Sequence, residues 1–133
     1  MMPRLSVPFN RAGVALVVAL LCALTVNGAG AASNVGAPGQ KVSGQAAAQT
    51  VRETDRPEFR PTHVSLKAGG VVEWVNTGSI VHDVTFDQYP SITSETMQSG
   101  DKYEVKFTIP GMYQYRCSFH PGMNGSVTVS QDT

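Results

Sequence analysis

From Val51 onward the chain is cut into short pieces by turn residues, with a Gly, Pro, Asn or Asp signal roughly every eight to twelve residues. Between the signals lie β-branched and aromatic runs: "THVSLKAGG", "VVEWVNTG", "HDVTFDQYP", "KYEVKFTIPG", "YQYRC" and "GSVTVS". No stretch of residues 51–133 has the length and 3.6-residue period of an amphipathic helix. Alternation with period two assigns faces. Val64, Leu66, Val72, Trp74, Val105, Phe107, Val127 and Val129 point inward, while Ser65, Glu73, Lys106 and Thr128 point outward. The expected fold is all-β, an antiparallel Greek-key sandwich or barrel of about seven to eight strands.

The preceding residues read differently. Residues 1–11 carry Arg4 and Arg11 and no acid, residues 14–26 are apolar except Thr25, and Ala29-Gly30-Ala31 supplies a small-residue cleavage site, so residues 1–31 are expected to be a signal peptide. The apolar run is short of the roughly 20 residues that span a bilayer, which disfavours stable membrane insertion. Cys22 lacks the small residue that a lipoprotein signal places before its Cys, and no Arg-Arg pair marks a twin-arginine route. Residues 32–50 mix Ala, Gly, Ser and Gln and are expected to form a flexible linker, leaving residues 51–133 as the folded domain. The expected location is periplasmic or otherwise extracytoplasmic.

Loss of residues 1–31 leaves eight basic residues against ten acidic ones, a net charge of −2, which argues against nucleic acid as a partner. It also leaves Cys117 as the sole thiol. A disulfide within the mature chain is thereby excluded, and a single Cys in an oxidising compartment needs another explanation.

The stretch "YRCSFHPGM" supplies one. Cys117 shares the inward face of its strand with Tyr113 and Tyr115, and a tight turn through Pro121 and Gly122 brings His120 and Met123 to the same point. A fourth ligand is expected from another strand end, where "WVNTGSIVHDV" places His82 just after a turn. Singly, each residue has an ordinary reading: an inert core thiol, a packing methionine, a satisfied histidine. Together, one thiolate, two imidazoles and a thioether form the donor set of blue-copper electron-transfer sites, whereas zinc favours Cys, His or carboxylate over Met. His63 is expected to be exposed, Met97 and Met112 to be packing residues and Trp74 to be core, while simple solvation is the ordinary reading of Asp83.

These residues carry a resemblance to the cupredoxins, the plastocyanin and azurin family of small blue copper proteins, and among them to the amicyanins most. It covers about Val51 to Val129 and includes "FRPTHV", "GGVVEWVN", His82, "FTIPGMYQYRC" and "HPGMNGSVTV". The resemblance implies one type 1 copper per chain, with His82, Cys117 and His120 in the trigonal plane and Met123 axial. It also implies that the backbone N–H of residue 83 donates to the Cys117 sulfur while its side chain ties this loop to Ser118. Asn is familiar at that place, and Asp83 stands there in this chain; a carboxylate near copper favours Cu(II) and lowers the potential. Arg116 replaces the exposed Tyr that plastocyanins use in a remote docking surface.

The function expected from this is one-electron transport between redox partners by a monomeric carrier, with a partner protein docking near His120. Extracytoplasmic copper carriage or storage is the alternative, although no Met-rich or His-rich tail supports it. An enzyme is not expected, since multicopper oxidases and copper nitrite reductases need more than the three histidines present. A Cys117/His120 nucleophile pair would leave Met123 and His82 without a role.

Overall fold

A computed structural model describes residues 37–131; the expected signal peptide, residues 1–31, lies outside them. Among the described residues, eight strands form two sheets. The larger contains β1 (Gly39–Val42), β6 (Lys102–Phe107), β5 (Val71–Asn76), β2 (Gln49–Glu53) and β3 (Phe59–Arg60), in that order across the sheet. The smaller contains β4 (His63–Lys67), β8 (Asn124–Ser130) and β7 (Gly111–Arg116). Among the described residues, no helix is long and apolar enough to cross a membrane.

The sandwich is all-β but not uniformly antiparallel. β2 runs parallel to β5 and β4 parallel to β8, because the chain leaves the larger sheet after β3, passes through β4 in the other sheet, and returns at β5 beside β2. The stretch read as a linker divides: residues 39–42 pair with β6 and β2 begins at Gln49, so the sheet starts ahead of Val51. Backbone pairing requires no large side chains, which is why the small polar composition of this stretch concealed a strand. "HDVTFDQYP" forms no strand either. It makes single bridges at His82 and Thr85 and ends in a short 3-10 turn, Pro90–Ile92.

Every residue assigned inward by alternation is buried. An aromatic cluster fills the space between the sheets. Trp74, with no exposed surface, meets Tyr115 edge-on at 5.3 Å between ring centroids, and Phe59 meets the same Tyr115 at 4.7 Å. Two outlying assignments change. Met112 is 66% exposed rather than packed, because it alternates with buried Tyr113 on the outer face of β7. Asp83 is 8% exposed rather than solvated. His63 is exposed, with its ring on Ser126 Oγ, and Met97 is buried, as expected.

Candidate metal centre

One end of the sandwich gathers three of the four residues singled out by spacing. The backbone of Thr85 exchanges two hydrogen bonds with that of Arg116, at 2.8 and 3.0 Å, which fixes the end of β7 beside the segment that carries His82. Cys117 follows immediately. Its N–H donates to the Met123 carbonyl and the Met123 N–H donates to the His120 carbonyl, at 3.0 and 3.1 Å, so residues 117–123 close into a small loop. Gly122 adopts φ +86° within it, a left-handed conformation that costs other residues about 1 kcal/mol or more. The Cys117 Sγ lies 3.7 Å from His82 Nδ1 and 3.4 Å from His120 Nδ1, and the three donor atoms all fall within 4.8 Å of one another.

These separations fit a shared ion. Thiolate and imidazole bond to first-row ions at about 2.3 and 2.0–2.1 Å, and two such donors on neighbouring corners of a coordination triangle lie roughly 3.4–3.8 Å apart. The outer nitrogen of His82 completes the case. Nε2 lies 3.0 Å from the Thr54 carbonyl, which can only accept, so Nε2 carries the proton and Nδ1 presents its lone pair to the cluster. Met123, 2% exposed, is buried at the far end of the same loop.

The turn that presents His82 is held from two sides. The Asn76 side chain donates to the carbonyls of Ile80 and Met97, at 2.7 and 3.0 Å, and accepts from the Gly78 N–H at 3.0 Å. Asp55 Oδ1 accepts from the N–H groups of Ser79 and Ile80 and from the Ser79 hydroxyl. Asn76 was visible in sequence only as part of stretches such as "WVNTGSIVHDV". Asp55 and the Thr54 carbonyl act across more than 20 residues, and no local pattern announces them.

Electrostatics act differently on the two key donors. Burial, reinforced by the neighbouring His120, lowers the His82 pKa and favours the neutral, ligating ring. Burial raises the Cys117 pKa and the charge of Asp83 adds to the rise, while the backbone N–H groups of Asp83, Phe119 and His120 that face the sulfur offset only part of it. The Asp83 side chain bridges to the adjoining loop, accepting from the Ser118 N–H at 2.6 Å and from the Ser118 hydroxyl. Both contacts implied for residue 83 are therefore made here by an aspartate. His82 is fully buried and His120 partly exposed, so the cluster opens to solvent on the His120 side.

The comparisons agree with this chemistry. Residues 45–130 match the family described as copper binding proteins, plastocyanin/azurin family. The chain is 38% identical over 76 residues to amicyanin-alpha of Methylorubrum extorquens, covering 54% of this chain and 64% of that protein. It is 36% identical over 83 residues to the plastocyanin of Scenedesmus fuscus, covering 53% of this chain and 85% of that one. Among solved structures, a reduced amicyanin variant superposes with a TM-score of 0.57 at 28% identity, covering 67% of this chain and 86% of that one. The chain thus spans just under two thirds of the amicyanin-alpha it matches and more of the plastocyanin. With the family pattern running from before β2 to the last residue of β8, this chain belongs to the plastocyanin/azurin family of copper-binding proteins.

Proposed function

We propose that this chain is an exported type 1 copper protein that carries single electrons between redox partners. His82 Nδ1, Cys117 Sγ, His120 Nδ1 and the Met123 thioether would hold the ion. Bound copper would supply the chemistry, a one-electron cycle between Cu(I) and Cu(II). The observation that carries the reading is the convergence of the three donor atoms with the His82 tautomer already fixed by Thr54.

The protein's part is to hold that arrangement still. His82 is anchored through Thr54, Asn76 and Met97, and Cys117 through the closed loop and the Asp83–Ser118 bridge. A donor set fixed by the fold rather than by the ion has little to rearrange when the charge changes. The carboxylate of Asp83 beside the thiolate favours the higher oxidation state and lowers the potential. We infer that electrons pass at the exposed side of His120 and that the apolar residues of the two ligand-bearing segments, Phe119, 45% exposed, Pro121 and the half-buried Ile80 and Val81, form a collar there. Such a patch suits brief docking of a partner protein by a monomer.

Visible absorption of the purified protein titrated with Cu(II) tests the assignment. An intense thiolate-to-copper band should saturate at one equivalent, and Cys117→Ser should lose it while remaining folded, since only the thiolate gives that band. A colourless protein that retains only Cu(I) would support copper carriage instead.

A further inference from the structure

Glu53 is a buried group that the metal centre does not use. It sits on the inner face of β2 with no exposed surface, and neither carboxyl oxygen has a hydrogen-bond partner among the described residues. Its neighbours offer nothing to neutralise a charge. Asn76, opposite it in register on β5, commits its side chain to the His82 turn, and Phe59, opposite it on β3, presents a ring. The Tyr115 hydroxyl and Trp74 Nε1 are likewise buried, and the Tyr115 hydroxyl lies within the field of Glu53. Arg52 and Arg60, the cations nearest in register, are exposed on the outer face. The titratable groups facing Glu53 are therefore Asp83, an acid, and Tyr115.

A carboxylate buried without partners costs several kcal/mol, far more than the protonated acid in the same place. Burial, with a further contribution from the charge of Asp83, pushes the Glu53 carboxyl up to about 8. Glu53 also stands next to both supports of the metal centre. The adjoining Thr54 carbonyl holds the His82 ring, and Asp83 bridges to Ser118 beside Cys117.

We propose that Glu53 is an internal proton-binding site coupled to the charge of the metal centre, taking up one proton from solvent as the centre accepts one electron from a reduced partner protein. The O–H bond forms on the Glu53 carboxylate and is broken on reoxidation, when the proton returns to water and the electron passes to the acceptor. This rests on the electron-carrier reading. Reduction removes one positive charge from the low-dielectric interior, so the carboxylate holds its proton more tightly in the reduced state. Linkage is reciprocal: the potential falls as pH rises between the carboxyl's oxidised-state and reduced-state pKa values, and levels off on either side.

Two measurements test this on the full-length protein. NMR of carbon-13-labelled glutamate carboxyls, with Glu53→Gln to assign the resonance, follows Glu53 in the metal-free and Cu(I) forms. Voltammetry against pH compares the wild type with Glu53→Gln, whose amide is neutral at every pH. We expect a metal-free titration near pH 8, well above the ordinary glutamate range of about 4.3, and a potential that falls through this region only in the wild type. An ordinary midpoint, or parallel pH profiles in the two proteins, would overturn the proposal. Absence of a one-electron wave would overturn the carrier reading and the coupling with it, while the metal-free titration would still report whether Glu53 binds its proton.

Discussion

Replacing Asn76 with Ala should unfasten the His82 turn, and the structure sets the size of the effect. Asn76 has no exposed surface and its side chain makes three hydrogen bonds. The Met97 carbonyl keeps a second partner, the His82 N–H at 3.1 Å. The Gly78 N–H and the Ile80 carbonyl lose the side-chain atom that satisfies them, at about 1–1.5 kcal/mol for each group, so we expect a loss of about 2–3 kcal/mol. For a domain of this size that lowers Tm by about 10–20 °C. Urea denaturation of the metal-free protein measures it directly: the midpoint should fall with no change in m, because the surface exposed on unfolding is the same. Asn76→Asp keeps an acceptor for Gly78 but turns a carboxylate toward two carbonyls, and should be at least as unstable. Copper affinity should fall about 10–100-fold in the Ala variant, as for other residues that orient ligands. A destabilisation below about 0.5 kcal/mol, the range of an ordinary surface change, would show that Asn76 does not hold the turn.

Met123→Gln, which exchanges the thioether for a harder oxygen donor, should lower the reduction potential; an unchanged potential would remove Met123 from the ligand set. Pro121→Glu, placing a charge in the apolar collar, should slow electron transfer to the physiological partner and leave the visible spectrum in place, whereas an unaltered rate would put docking elsewhere. The buried acid also predicts a pH dependence of stability. Glu53 is raised from 4.5 to about 8 on folding, so above pH 4.5 the unfolded chain ionises while the folded one must stay protonated. Stability of the metal-free protein should therefore decline, by up to about 1.4 kcal/mol per pH unit, until the folded-state value is passed. Glu53→Gln should abolish that slope in urea titrations, and a slope equal to the wild type's would refute the assignment.

The parts of this protein that were legible in its sequence are those with a local period. Alternation placed Val64, Leu66, Val72, Trp74, Val105, Phe107, Val127 and Val129 inward, because a half-buried strand writes its burial into every second residue. The loop from Cys117 to Met123 was legible for a similar reason: its candidate donors lie three residues apart and its turn residues lie between them. What escaped has no local signature. β1 is held by backbone pairing with β6 and contains Gly39 and Gln40, so composition points to a linker. The parallel pairs β2–β5 and β4–β8 depend on how the chain crosses between sheets, which alternation does not encode. Asp55, Thr54 and Glu53 sit in a stretch of charged and turn residues that resembles surface, and their roles arise only when residues 76–83 fold against them.

The most direct test of the central claim is cyclic voltammetry of the protein loaded with one equivalent of copper. The account predicts a single reversible one-electron wave, with the metal retained through repeated cycles because His82, Cys117 and His120 are held by the fold in both states. Release of copper on reduction, or no wave from a protein that has bound the metal, would contradict it.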